Sequence, residues 1–246
     1  MPNYLYVLLF LSVILGGCYI AFSCTKFKLV TLIFRTALAI SVVLLAVFGI
    51  VAVSGGLSTS TMIFSFMLLG STVLFLGKEI YLDLASYKNV KSNVLNLVDE
   101  ITTLVGHVLL IVAMTIYFGF SYYTFIFFAA FAIIFYLLNY LFGRKSQGKN
   151  QILFIVYDVV VSFAVATALS GVVFSSASSA MKNVSIFLFI GYVLYYLADM
   201  FKYGRMLSTI PLQKDEQVVG VFGITFYVIA NILFAFSLGF VFLWAW

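Results

Sequence analysis

Charge is the scarcest property of this sequence: 9% of its 246 residues are Asp, Glu, Lys or Arg, whereas 65% are hydrophobic and the mean hydropathy is +1.20. So few polar side chains cannot coat a soluble globule, which leaves an integral membrane protein. Proline is nearly absent. Pro2 and Pro211 both lie outside the apolar runs, so the broken helices common in transporters have no sequence signal. Cys18 and Cys24 are the two cysteines, too close together for a disulfide framework and not spaced as a CxxC metal knuckle; both read as packing residues. With His107 as the one histidine, a three-His zinc site cannot be built, and no metal or cofactor is expected. No GxSxG context selects a serine nucleophile, and no glycine-rich phosphate loop follows a strand. The net charge of +5 is scattered singly over short connections rather than gathered into a basic run, which argues against nucleic acid.

What is present is a succession of apolar stretches of about 20 residues, the length that a roughly 30 Å hydrocarbon core asks of a helix. They predict an all-α polytopic membrane protein with eight transmembrane helices in one bundle, at 4–23, 29–53, 60–78, 100–119, 122–142, 151–173, 184–202 and 218–242. The whole of 1–246 reads as a single integral membrane domain. Lys26, Lys28, Lys78, Lys88, Lys91, Arg144, Lys145, Lys149, Lys202, Arg205 and Lys214 all fall in or beside odd-numbered connections, and the even ones hold only Lys182. Lys and Arg accumulate on the cytoplasmic side, so both termini are expected to be non-cytoplasmic, with a bacterial inner membrane as the location. The longest connection is 79–99. Within it "LASYKNVKSNVLNLVDE" is either an interfacial helix or a plain loop into helix four. The stretch "SGVVFSSASSAMKN" reads as a loop on the outer side. Gly70 and Gly77, seven apart, read as permitting close helix approach.

The ionisable residues share one depth. Lys28 and Arg35 lie near the cytoplasmic start of helix two, and Lys78 and Glu79 close the end of helix three. His107 and Asp158 lie about two turns into helices four and six, and Asn139 and Asp199 about one turn from the ends of five and seven. A charge at mid-membrane costs at least about 2.5 kcal/mol, so such groups turn inward and pair, or line a wet cavity. Their common depth predicts one polar pocket open to the cytoplasmic leaflet. The alternative is pairwise satisfaction, for example Arg35 with Asp158. Acid and base work is left to Asp199, Asp158, Glu79 and His107. Lys28, Arg35 and Lys78 are placed to hold a lipid phosphate or simply to snorkel. Asn139, Tyr157 and Tyr227 complete the candidate substrate-binding set, with interhelical packing as the alternative for Tyr157, Tyr195, Tyr196 and Tyr227.

Taken in order, "FKLVT" at 27–31, "LLGSTVLFLGKEIYL" at 68–82, "LVGHVLLIVAMTIYFG" at 104–119, "FIGYVLYYLADMF" at 189–201 and "GITFYVIANILFAFSL" at 223–238 resemble the YhhN-like lysoplasmalogenase family. Those are eight-helix membrane hydrolases that cleave the vinyl ether bond of lysoplasmalogens. The resemblance implies a lysophospholipid or other membrane lipid as partner, Lys28 at the family's helix-two lysine, and Asp199 as its acid. Two departures stand out. The family's helix three ends in Gly-Asp where this chain has Gly77-Lys78, and Leu29 replaces the proline after the lysine. The reversal of charge at Lys78 favours the alternative function, a non-catalytic lipid-binding protein or small transporter on the same scaffold. Under the hydrolase expectation Asp199 is one member of an acid pair and Glu79 or Asp158 the other.

Overall fold

A computed structural model describes residues 3–25, 27–51, 58–88, 93–141, 151–174, 179–207 and 215–243. Among them every regular element is helical: α1 (Asn3–Ser23), α2 (Lys28–Val51), α3 (Thr59–Tyr87), α4 (Asn93–Phe118), α5 (Tyr123–Leu141), α6 (Gln151–Phe174), α7 (Ser179–Leu207) and α8 (Asp215–Leu243). Seven of these are long and apolar enough to cross a membrane, and α5 contributes a shorter apolar segment over Tyr123–Leu138. The apolar side chains outside the core support the same conclusion. Tyr6, Val7, Phe10 and Val13 on α1, and Phe125, Ile126, Ile133 and Leu137 on α5, form exposed faces that only lipid suits. The protein is an integral membrane protein.

Local chemistry sets the helix ends. Ser58 Oγ accepts the amide of Thr61 and caps the start of α3. At the other end of α4, Gly119 adopts φ +80° and its amide returns to the carbonyl of Thr115, a left-handed stop that a residue with a Cβ rarely adopts. The turn at Ser121 then starts α5 after four residues.

Two sequence boundaries are corrected. The charges after Lys78 do not end helix three: α3 runs on to Tyr87 and α4 begins at Asn93, so the expected connection 79–99 is mostly helix. Ion pairs to neighbouring helices satisfy those charges, and the backbone has no reason to leave the helix there. "LASYKNVKSNVLNLVDE" is accordingly divided between α3 and α4, with 89–92 outside the described residues. Likewise 170–174 belong to α6 and 179–183 to α7, and the remainder of the expected outer loop, 175–178, lies outside the described residues.

Sequence neighbours pack as antiparallel pairs, α1 on α2, α3 on α4, α5 on α6 and α7 on α8. α8 also meets α1, α2 and α3, while α6 joins α4 to α7. α3, α4, α6, α7 and α8 therefore wall one interior. The close approaches are not where they were expected. Gly77 is exposed, a Cβ there would touch nothing within 4 Å, and one on Gly70 would meet only Leu109 at 3.9 Å. Among the tight positions are Gly106, where a Cβ would fall 2.5 Å from Phe75 Cε1, and Gly191, where it would fall 2.7 Å from Phe234 Cε1. The absent side chains seat both phenylalanines in the interior.

Candidate functional site

The site begins on α3, which passes between α2 and α4. Lys78 and Glu79 point about 100° apart, as adjacent helical residues must, and each finds a different neighbour. Lys78 reaches α4: its Nζ lies 2.9 Å from Asp99 Oδ1 and donates to Thr103 Oγ1. Glu79 reaches α2: its Oε2 lies 3.2 Å from Arg35 Nη1 while its Oε1 stays 3.7 Å from Lys78 Nζ. One turn on, Asp83 Oδ1 sits 2.9 Å from the same Arg35 nitrogen, which also donates to the carbonyl of Glu79. The Tyr19 ring covers the guanidinium at 4.6 Å, a cation–π contact from α1. Two cations and three carboxylates thus form one continuous network. The Lys78 side chain is 3% exposed and that of Asp83, its most open member, 27%.

A second group of residues adjoins the first through Tyr195. Its ring centroid is 5.9 Å from Lys78 Nζ and 5.7 Å from the ring of Tyr227. Asp199 is buried at 5% exposure on α7 and accepts the hydroxyl of Tyr157 from α6. Tyr227 donates to the carbonyl of Phe75 at 2.9 Å, tying α8 to α3. His107 stands at the middle with four rings around it: Phe75 at 4.9 Å, Tyr195 at 5.2 Å, Tyr192 at 5.6 Å and Tyr157 at 5.7 Å.

Of the residues singled out from sequence, Arg35, Lys78, Glu79, His107, Tyr157, Asp199 and Tyr227 meet in this region. Lys28 does not: it is exposed at the first position of α2, seven residues before Arg35. Asp158 is half-buried beside Tyr157, and the expected pairing of Arg35 with Asp158 is replaced by Arg35 with Glu79 and Asp83. The reason is topological, since α2 packs on α1, α3 and α8 while α6 packs on α4, α5 and α7. Lys78 pairs with Asp99 and Glu79. Asn139 lies on α5, with its side chain outside the described residues.

Asp99, Thr103 and Tyr19 are the members that sequence reading overlooked. A signal for two of them was present: Asp99, Thr103 and His107 recur every four residues, which puts them on one face of α4. Tyr192, Tyr195 and Asp199 share a face of α7 by the same rule. Nothing local marks Tyr19. Among the described residues no group of His, Cys, Asp and Glu is arranged to hold a metal ion. Comparison of the chain with protein-family models, curated proteins and solved structures finds no match, so the site is interpreted on its own chemistry.

Proposed function

We propose that the protein is a lysoplasmalogenase-like hydrolase, a divergent relative of the YhhN-like family, that cleaves the vinyl ether bond of a lysophospholipid. One observation carries the reading: two buried carboxylates from different helices, Asp199 and Glu79, border one aromatic cluster in unlike surroundings. Glu79 sits between Arg35 and Lys78 and pairs with both. Asp199 accepts the hydroxyl of Tyr157 in an apolar wall. Paired acids with separated roles are what this chemistry asks for.

In the reaction Asp199 gives its proton to the β-carbon of the alkene, leaving an oxocarbenium ion whose charge the Glu79 anion stabilises. Water adds to the cationic carbon and releases a proton, which restores the acid. The resulting hemiacetal collapses to a fatty aldehyde and the glycerophospho-alcohol. In this reading a phosphate arrives at Arg35 and Lys78, and the lipid enters from the cytoplasmic leaflet beside Asp83, the most open member of the network. No cofactor takes part. In this reading α5 completes an eight-span bundle with both termini non-cytoplasmic, in a bacterial inner membrane. A topology reporter that finds either end of the chain in the cytoplasm contradicts that arrangement.

The second reading is a non-catalytic lipid-binding protein or small transporter on the same scaffold. The ion pairing of Lys78 favours it, because a lysine held by Asp99 and Glu79 occupies the point where the resembling family places an acid. Aldehyde release from lysoplasmalogen by the purified protein, with Asp199→Asn as control, separates the two. Turnover that the substitution abolishes supports the hydrolase. Full activity in Asp199→Asn, or no turnover across lysophospholipid headgroups, removes it.

A further inference from the structure

Arg35 carries five N–H donors and commits them unevenly. Among the described residues, every hydrogen bond and ion pair it makes runs through Nη1: to the carbonyl of Glu79 at 3.0 Å, to Glu79 Oε2 at 3.2 Å and to Asp83 Oδ1 at 2.9 Å. Nε has no acceptor there. In a planar guanidinium the Nε–H and the neighbouring Nη2–H point the same way, a side-on fork whose spacing suits two oxygens of one anion. That edge is the one left over, and covalent geometry alone makes its donors converge. The Tyr19 ring, 4.6 Å away, covers a face of the guanidinium and leaves the edge. Lys78 differs. Its three N–H meet three nearby oxygens, on Asp99, Thr103 and Glu79, and its side chain is 3% exposed against 12% for Arg35. Depth then points to the source of the missing oxygens. Glu79 and Asp83 lie in the last two turns of the apolar span Thr59–Ala85, and Tyr81 between them is exposed, as is Tyr87. Exposed tyrosines of a membrane helix sit at headgroup level, where lipid phosphates are the abundant anion.

We propose that Arg35 holds the phosphate of a lipid headgroup side-on, through Nε and Nη2, and that the charges around it restrict the ligand to a phosphodiester. The network contains two cations, Arg35 and Lys78, and three carboxylates, Glu79, Asp83 and Asp99, which leaves one negative charge in excess. A diester adds one more. A terminal phosphomonoester brings nearly two at pH 7, so Glu79 and Asp83 repel it roughly twice as strongly for the same two hydrogen bonds. Lys78 contributes charge to the site and makes no contact with the ligand. The inference deepens the site described above and serves both readings of it, since a hydrolase and a lipid-binding protein each need the headgroup held. It does not rest on cleavage.

Binding is measured by native mass spectrometry in a maltoside micelle, which holds no phosphate. The probes are lysophosphatidylethanolamine, lysophosphatidic acid and monoacylglycerol of one chain length, none with a vinyl ether, so no turnover intrudes. The wild type is expected to bind the diester at least about tenfold more tightly than the other two, and Arg35→Lys, which keeps the charge and loses the fork, to lower that affinity about tenfold while leaving monoacylglycerol unchanged. Equal affinity for diester and monoacylglycerol, a preference for lysophosphatidic acid, or full affinity in folded Arg35→Lys overturns the site. Displacement by inorganic phosphate at matching concentration would assign the fork to the free ion and overturn the lipid. A second measurement needs no variant at Arg35. With Arg144→Lys and Arg205→Lys, Arg35 is the one arginine left, and nitrogen-15 labelling of arginine should show dipolar coupling to the phosphorus of bound lysophosphatidylethanolamine. Absence of coupling in the lipid-bound protein overturns the contact. Aldehyde release from lysoplasmalogen is scored separately: Arg35-dependent binding without turnover keeps the site and removes the hydrolase, whereas turnover without headgroup discrimination removes the site alone.

Discussion

Tyr157 on α6 donates its hydroxyl to Oδ2 of Asp199 on α7, and both residues are buried. This bond joins two helices and sets the environment of the carboxyl that the proposed chemistry depends on. Removing the donor while keeping the ring isolates its contribution. Tyr157→Phe is expected to slow aldehyde release about tenfold and to cost about 0.5–1.5 kcal/mol of stability, the net range for a typical intramolecular hydrogen bond. Asp199→Asn is expected to lose at least about 100-fold, as for a general acid. Equal rates in wild type and Tyr157→Phe would show that the phenol does not tune the acid.

Lys78 and Asp99 are a buried pair at 2.9 Å. Breaking such a pair from one side strands a charge, at about 3–5 kcal/mol, whereas replacing both partners by apolar groups is close to neutral. Lys78→Met should therefore lower the unfolding midpoint in mild detergent, and adding Asp99→Leu should recover most of it. The resembling family places an aspartate at this point, so Lys78→Asp is informative. With Asp99 and Glu79 already there, a third carboxylate is expected to destabilise the bundle and not to raise activity. A more active Lys78→Asp would mean that the ion pair is an inhibitory plug.

Arg35 serves two carboxylates and an aromatic face at once: Glu79 at 3.2 Å, Asp83 at 2.9 Å and the Tyr19 ring at 4.6 Å. A lysine keeps the charge but loses the planar fork and the stacking surface. Arg35→Lys should cost about 1–2 kcal/mol, measured by thermal unfolding, with the deficit largely absent in a Tyr19→Leu background if the stacking dominates.

Gly106 and Gly77 provide a contrast on packing. An added methyl at Gly106 runs into the Phe75 ring beside His107, so Gly106→Ala should cost about 1–3 kcal/mol. At Gly77 the methyl meets nothing, and the helix gains from losing a glycine by up to about 1 kcal/mol. Parallel melts of the two variants test this; equal effects would contradict the helix contacts described.

Helix existence was legible because it depends on run length alone: an apolar stretch of about 20 residues without proline has few alternatives in a membrane. The end of α3 was not legible. Glu79 and Asp83 look like loop residues until Arg35 is known to sit across from them. The site was half visible, since Asp199, His107 and Glu79 stand out as costly groups in apolar runs, whereas Tyr192 and Tyr19 look like the many aromatics that merely pack.

The sequence by itself determined that this chain lives in lipid, that it crosses it as helices, and that its expensive side chains gather toward one end. Hydropathy and spacing act along the chain, so they can be read from it. Only the tertiary structure decided which charges meet. Adjacent Lys78 and Glu79 serve different helices, and Arg35 is matched with α3 rather than α6. Those pairings follow from the rotation of each helix and the choice of its neighbours, which packing of the whole bundle fixes and no single segment encodes.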